Sequence, residues 1–260
     1  MFRRIFVAVA ICGLTFGAMA QDIPLQFRFG AGVRTLVGDE RAYEFSIPRG
    51  RGSGTFIENN GPTFIKDELA FGLYFASETR MDFPLHASID VDVAFGTEDH
   101  IVVGIGGGLG YNLDLGNGLY LQPKIGMSYV MSFRDMGTLP NTTIGGEEYG
   151  YLIGSNPTEM FDPQIDVTTT FLMVRPELNA FFRIHPSIFL FGGLGYQLPI
   201  SKSDISFMFT GEDFRGDSFS ESLKSNSPAI NFKLGDEQNP KTSDASPQGF
   251  VVNIGVAYHL

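Results

Sequence analysis

The feature that most constrains this chain is an alternation of apolar with small or polar residues, which recurs in eight separate runs. The runs cover residues 25–36, 68–78, 85–95, 101–113, 119–133, 167–184, 188–200 and 249–260. In the run "LHASIDVDVAF", every odd-numbered residue from Leu85 to Phe95 is apolar. A period of two residues is typical of β-strands with one apolar face. The sequence therefore predicts an all-β protein.

The connections between the runs predict how the strands are arranged. The odd-numbered connections are 37–67, 96–100, 134–166 and 201–248, and the even-numbered ones are 79–84, 114–118 and 185–187. An up-and-down antiparallel sheet places these two sets at opposite ends. Short periplasmic turns and long extracellular loops are the layout of an outer-membrane β-barrel. We therefore predict a transmembrane up-and-down antiparallel β-barrel of eight strands, with both termini periplasmic.

A ten-stranded barrel is the alternative, because residues 204–209 and 228–234 also read as strands. They could form one more membrane hairpin. We favour a hairpin that extends above the membrane, since both runs are short and flanked by charge. Residues 42–47 are interpreted in the same way.

The composition of the two strand faces favours a membrane barrel over a secreted β-sandwich or lipocalin-like barrel. One face is nearly all Leu, Ile, Val and Phe, whereas the other is rich in glycine and sparsely charged. The second face suits a narrow, packed lumen better than a soluble surface. Strands persist in lipid only when the sheet closes and leaves no edge.

The first 20 residues are typical of a cleaved signal peptide, which would leave a barrel domain over residues 21–260. A basic start at Arg3 and Arg4 precedes a short apolar run and the small residues before Gln21. Loss of the two arginines would change the net charge from −11 to −13, which disfavours nucleic-acid binding. The single cysteine, Cys12, would be removed, so disulfides are not expected.

Aromatic residues near the two ends of the predicted strands suggest two girdles at the membrane interfaces. The periplasmic set is Phe27, Phe75, Tyr111, Phe182 and Tyr258, and the outer set is Phe95, Tyr129, Phe133, Tyr196 and Phe250.

These patterns together resemble the small eight-stranded outer-membrane barrels of Gram-negative bacteria, of the OmpA-domain and OmpX kind. The last strand resembles the C-terminal assembly signal of that family at Ile254, Val256, Tyr258 and Leu260, although the usual last residue is Phe. The resemblance implies recognition by the barrel-assembly machinery. It also implies an integral outer-membrane protein surrounded by lipid and lipopolysaccharide.

The inward face of the strands contains charges that we expect to form a luminal network. They are Arg28, Arg34, Asp90, Asp92, Lys124, Arg175, Glu177 and Arg183. An eight-stranded barrel is just wide enough for side chains to fill it, and charges removed from water must be paired. We predict a salt-bridged plug. A narrow polar pore is the alternative, since the stripe Gly104 to Gly110 could leave space or could admit Tyr120 or Phe181.

No catalytic, metal or cofactor site is indicated by the sequence. His86, Ser88 and Asp90 share a strand face, but they would point into the lumen and away from a lipid substrate. We interpret them as packed luminal residues. The run "GIGGGLG" at 104–110 lacks the spacing of a dinucleotide loop, and no HExxH motif is present.

The four odd-numbered connections contain 21 acidic and 10 basic residues, so the acidity is predicted to be extracellular. Solvation is the simple explanation, and binding of divalent cations or of a basic partner is the alternative. The tripeptide Arg215-Gly216-Asp217 resembles an integrin ligand but, on sequence alone, is treated as chance. We predict a non-enzymatic barrel with a plugged lumen that anchors an acidic loop platform, for surface interaction with an unidentified ligand or for envelope integrity. The alternatives are a small passive porin-like channel and, remotely, a lipid-modifying enzyme.

Overall fold

The structure is a computed structural model, and it describes residues 25–37, 43–47, 54–56, 68–79, 84–97, 100–154, 158–243 and 248–259. Leu260 and the predicted signal peptide at residues 1–20 lie outside these ranges. Within them the regular elements are all β-strands, and no helix long and apolar enough to cross a membrane is found.

Eighteen strands form the described part of the chain. They are β1 (Leu25–Leu36), β2 (Tyr43–Ile47), β3 (Gly54–Phe56), β4 (Glu68–Thr79), β5 (Leu85–Phe95), β6 (Ile101–Tyr111), β7 (Leu113–Gly116), β8 (Leu119–Thr138), β9 (Thr142–Ile144), β10 (Glu147–Tyr149), β11 (Phe161–His185), β12 (Ile188–Pro199), β13 (Ser203–Glu212), β14 (Ser218–Lys224), β15 (Asn231–Leu234), β16 (Glu237–Gln238), β17 (Thr242–Ser243) and β18 (Gly249–His259).

Eight of these strands close into a barrel. The order around the ring is β1, β4, β5, β6, β8, β11, β12 and β18, and every neighbouring pair is antiparallel. Closure is achieved where the last strand pairs with the first, for example at Phe29 and Val256. The predicted all-β, eight-stranded antiparallel barrel is confirmed, and the ten-stranded alternative is wrong.

The ends of several predicted strands differ from the structure. The fourth ends at Tyr111, and Leu113 belongs instead to β7, which folds back on β8. The left-handed backbone of Asn117 and Gly118, with φ of 54° and 78°, makes the tight turn between β7 and β8. The fifth strand continues to Thr138 and the sixth begins at Phe161, because these two strands keep pairing beyond the barrel.

The described parts of the long connections form a second structure, here called the cap. It comprises the described residues of 43–47, 54–56, 134–170 and 203–243. The predicted hairpin between 204–209 and 228–234 is wrong, because β13 pairs with β11 and β14, whereas β15 pairs with β2 and β16. Residues 42–47 are also predicted to lie above the membrane, and the described part of this run, Tyr43–Ile47, forms β2 of the cap and is not a strand of the ring.

The cap has its own hydrophobic core, which the sequence did not predict. Its buried members are Ile47, Leu139, Tyr151, Ile153, Met160, Ile165, Val167, Ile205, Phe207, Phe209, Ile230, Phe232 and Leu234. The rings of Phe207 and Phe232 meet edge to face with centroids 4.9 Å apart. Fully buried aromatic pairs contribute more than their burial alone. The described parts of these connections therefore form a folded β-structure and not separate solvated loops.

The outer face of the barrel is apolar around the whole ring. Its exposed residues include Phe29, Leu73, Ile89, Ile105, Ile125, Leu178, Leu194 and Ile254. Of the residues expected in the two girdles, Tyr111, Phe182 and Tyr258 are exposed toward the short-turn end, and Tyr129 and Phe250 toward the cap. Half-exposed on the same face are Phe27, Phe75, Phe95, Phe133 and Tyr196. The C-terminal residues Ile254, Val256 and Tyr258 also point outward.

Candidate functional site: a charge-balanced lumen beneath a folded cap

The lumen contains four cationic and four anionic side chains, each no more than 5% exposed. The cations are Arg28, Arg34, Lys124 and Arg175, and the anions are Glu78, Asp90, Asp92 and Glu177. Their formal charges cancel. Buried charges are tolerated only when they are paired, so this balance is what a water-poor interior requires.

Arg175 on β11 is the centre of the network. Its guanidinium lies 3.4 Å from Asp92 and 3.8 Å from Asp90, and it also forms an ion pair with Glu177. Lys124 on β8 pairs with Asp90 and lies 3.8 Å from Glu177. Each of these cations therefore contacts at least two carboxylates from different strands, which ties β5, β8 and β11 together across the lumen.

A tyrosine links this centre to the short-turn half of the lumen. Arg28 lies 3.0 Å from Glu78 and donates a hydrogen bond of 2.9 Å to the Tyr74 hydroxyl. The same hydroxyl donates to Asp90 at 3.0 Å. Arg34 pairs with Asp92 at the other end. All eight charged groups therefore belong to one connected network, whose members come from β1, β4, β5, β8 and β11.

Apolar side chains pack on both sides of the network. An aromatic cluster occupies the short-turn half and comprises Tyr74, Ala76, Tyr120, Phe181, Phe189, Phe191 and Ala257. The Arg28 guanidinium lies 5.5 Å from the ring centres of both Phe181 and Phe191, which is cation–π geometry. An apolar layer closes the cap end and comprises Leu36, Ala70, Ala94, Val102, Val130, Phe171 and Met173.

The glycine stripe of β6 makes room for charged and polar side chains of the neighbouring strands. A Cβ atom would collide with the carboxylate of Asp92 at Gly104, with Lys124 Cε at Gly108 and with the His86 ring at Gly110. The stripe is thus occupied by these three side chains, and not by Tyr120 or Phe181. The absence of side chains along the stripe therefore provides the space that these three side chains occupy.

Two sets of sequence-predicted residues are arranged differently from the rest. Arg183 is exposed at the short-turn end, where it donates a 2.9 Å hydrogen bond to the Tyr120 hydroxyl and lies outside the network. Its guanidinium is 5.0 Å from the Phe189 ring centre, so it covers the aromatic cluster.

His86, Ser88 and Asp90, which share a strand face, are not joined by hydrogen bonds in the described lumen. His86 lies 3.7 Å from Glu78, and Asp90 forms an ion pair with Lys124. The Ser88 hydroxyl has no hydrogen-bond partner among the described residues.

Sequence reasoning missed Glu78, Tyr74 and Gln122 as members of the luminal network. Gln122 accepts hydrogen bonds from Arg28 at 3.4 Å and from Asn179 at 3.2 Å. The alternation of residues along a strand could have identified Tyr74 and Glu78, because they lie two residues before and after Ala76 on the inward face of β4. Among the described residues, no group of three or more His, Cys, Asp and Glu side chains could hold a metal ion.

One pair of carboxylates in the cap is unfavourable. Asp166 of β11 lies directly opposite Asp135 of β8 in the sheet register. Burial and the neighbouring Asp135 charge both raise the pKa of Asp166 above its usual value. Like charges directly opposite one another destabilise a sheet. Ionised Asp166 therefore opposes folding of the cap.

We expect Asp166→Asn to raise the stability of the cap at pH 7. Because the folded-state pKa is raised, the ionisation penalty is present above that pKa and disappears below the unfolded value of about 3.9. The advantage of Asp166→Asn should therefore vanish as the pH falls below about 3.9. Limited proteolysis of the cap against temperature at several pH values would measure it. Asp204→Asn, at an exposed site on β13, is the control, and an equal gain at low and neutral pH would contradict the electrostatic explanation.

Comparisons with known proteins give no family and no curated relative for this chain. No family model matches, and no curated protein matches. Among solved structures, a major outer membrane protein from Thermus thermophilus is 14% identical, with a TM-score of 0.45 and coverage of 91% of this chain and 99% of that one. Neisserial surface protein A is 10% identical, with a TM-score of 0.41 and coverage of 89% and 96%.

A third solved structure is the outer membrane protein OprG from Pseudomonas aeruginosa, at 10% identity and a TM-score of 0.32, with coverage of 92% and 97%. Likenesses at these values carry no conclusion about activity. The fold of this chain is established by its own strand pairing, which closes a ring of eight, and its site by the packed, charge-balanced interior of that ring.

Proposed function

We propose that this chain is an integral outer-membrane protein whose sealed barrel holds a folded β-structured cap at the cell surface. The observation that carries the proposal is the lumen, where eight buried charges cancel one another and apolar groups fill the space on either side. An interior of this kind favours a closed barrel over a channel through which solutes pass.

The outer surface supports a membrane location. Large apolar side chains cover the outer face of all eight barrel strands, and a water-soluble barrel would present polar groups there. A closed ring satisfies every backbone hydrogen bond between its strands, which is the condition for β-structure in lipid. Signal-peptide cleavage after Ala20 and periplasmic termini belong to the same proposal.

The two ends of the barrel differ in a way that supports the orientation. The fully described connections at one end are tight, such as the Asn117-Gly118 turn, whereas the other end continues into the cap. Long connections of outer-membrane barrels face the exterior. The cap, with the acidic excess of the long connections, would then meet solvent and lipopolysaccharide. A role in surface interaction fits a rigid, exposed β-structure of this kind.

Ion conduction is the measurement that separates a sealed barrel from a passive channel. We expect the refolded protein in a planar bilayer to give no steady conductance steps. Heat-shifted gel mobility of the same sample would show that the barrel is folded. Reproducible conductance steps from a folded sample would overturn the sealed-lumen proposal and would make Asp90, Asp92 and Arg175 candidate pore residues.

Orientation is tested separately on intact cells. Protease added from outside should cleave the cap at its exposed turns, for instance near Asp236, and should leave the barrel fragment in the membrane. Cleavage at Asn117 in place of the cap would show that the short turns face outward.

A further inference from the structure

The tip of the β13–β14 hairpin is a well-defined turn. The Asp213 carboxylate accepts backbone N–H bonds from Arg215 at 2.7 Å and from Asp217 at 3.0 Å. The Gly216 N–H donates to the Asp213 carbonyl at 2.9 Å, and the Asp213 N–H donates to the Asp217 carbonyl at 3.0 Å. Four hydrogen bonds thus fix five residues. An aspartate that bonds the backbone two residues on is a recognised way to hold a turn.

The side chains at this tip are directed away from the cap core. Phe214 is 73% exposed, the highest value among the large exposed hydrophobic residues of the described chain. Arg215, Gly216 and Asp217 are exposed as well. β14 pairs with β13 alone among the described strands and lies at the end of the sheet, so a partner could approach the tip from several directions.

The residues of the tip hold the Arg215 and Asp217 side chains in a defined arrangement. Asp213 is used internally to hold the turn, whereas the Asp217 carboxylate is left to face solvent. The Arg215 guanidinium lies 5.1 Å from the Phe214 ring centre, and this stacking restricts its side chain. Gly216 has a φ of 81°, a conformation that other residues adopt only with strain. The turn therefore presents a guanidinium and a carboxylate, separated by one glycine, in a preorganised form.

A complementary receptor can be described from this chemistry. A carboxylate oxygen is a strong ligand for Mg²⁺ or Ca²⁺, and a guanidinium forms bidentate hydrogen bonds with a carboxylate. A receptor that offers a bound divalent cation beside an acidic pocket would engage Asp217 and Arg215 together. The sequence alone leaves Arg215-Gly216-Asp217 as coincidence, because three residues are few. The structure adds their place at the apex of a fixed, exposed hairpin.

We propose that the β13–β14 hairpin tip binds a cell-surface adhesion receptor through Arg215 and through coordination of Asp217 to a receptor-bound divalent cation. This inference rests on the proposed function, because it requires the cap to face the outside of the cell. It gives the cap a partner class, which the proposed function leaves open.

The test uses the full chain folded in detergent and, as the probe, a purified ectodomain of an adhesion receptor that binds Arg-Gly-Asp peptides through a divalent cation. We expect saturable binding in Mn²⁺ that is lost in EDTA and displaced by a linear Arg-Gly-Asp peptide. Asp217→Glu keeps the charge but moves the carboxylate outward by one methylene, and it should weaken binding at least about tenfold. Arg215→Ala should weaken it to a similar degree.

The matched control is Asp236→Glu in the exposed turn between β15 and β16, which should bind as the unmodified chain does. No binding by the unmodified chain, or equal binding by Asp217→Glu, would overturn the receptor proposal. Because the cap is accessible in detergent whatever its orientation in cells, such a result would leave the sealed-barrel proposal unaffected. That proposal is decided by conductance and by protease accessibility on intact cells.

Discussion

Asp90→Ala is expected to lower the free energy of unfolding by about 3–5 kcal/mol, the usual effect of removing one partner from a buried ion pair. Asp90 is 2% exposed, forms an ion pair with Lys124, lies 3.8 Å from Arg175 and accepts a hydrogen bond from Tyr74. Its removal leaves an excess positive charge among buried side chains. Urea unfolding of the barrel in lipid vesicles, followed by gel mobility, would measure the change.

Two companion variants make the Asp90→Ala result specific. Asp236→Ala removes an exposed aspartate from the cap and should leave barrel stability nearly unchanged. The double variant Asp90→Leu with Lys124→Met removes a positive and a negative charge together, so it should recover much of the lost stability. If Asp90→Ala were as stable as the unmodified chain, the network could not be the interaction that holds the lumen closed.

Phe207→Ala is expected to unfold the cap while the barrel remains folded. Phe207 is fully buried in the cap core against Phe232, and truncation of a buried phenylalanine typically costs about 3–5 kcal/mol. The cap core and the luminal clusters share no buried residue. Rapid proteolysis of the cap, together with unchanged heat-shifted mobility of the barrel fragment, would be the result.

The control for the Phe207 variant is Phe214→Ala at the hairpin tip. Phe214 is 73% exposed and lies outside the cap core, so its truncation should leave protease resistance of the cap nearly unchanged. Simultaneous loss of the barrel and the cap in Phe207→Ala would show that the two cores unfold as one unit.

The barrel could be predicted from the sequence because each wall strand carries its own signal. Strict alternation from Leu85 to Phe95, for example, is readable without knowing the neighbouring strands. The alternation is strong here because one face is uniformly apolar and the other faces a crowded interior. The short connections predicted at 114–118 and 185–187 then indicate which strands are neighbours.

The cap could not be predicted because its strands are short and pair across long separations. β2 at 43–47 finds its partner in β15 at 231–234, and no local pattern indicates this choice. Charged residues also interrupt these runs, so burial on one face is hard to recognise. The extension of β8 and β11 beyond the barrel was missed for a related reason. The extended parts of both strands lie within residues 134–166, which the sequence predicts to be a loop.

The luminal network could be predicted in part, less well than the barrel strands and better than the cap. The alternation of residues along the strands places Arg28, Asp90, Lys124 and Arg175 on the inward face, and the structure brings them together. Which carboxylate meets which cation depends on the stagger between strands, which alternation does not encode. Glu78 was overlooked because it is the next-to-last residue of β4 and the last residue of the predicted run 68–78.

The continuous strands β8 and β11 have a mechanical consequence. They are paired from Leu119 and Phe182 at the short-turn end to Thr138 and Gln164 in the cap. A pulling force on the cap is therefore directed along these strands and loads many of their hydrogen bonds in parallel. Bonds loaded in shear resist together, whereas those of an unzipped hairpin yield one after another. A cell tethered through the cap would thus transmit tension along β8 and β11 directly into the barrel wall.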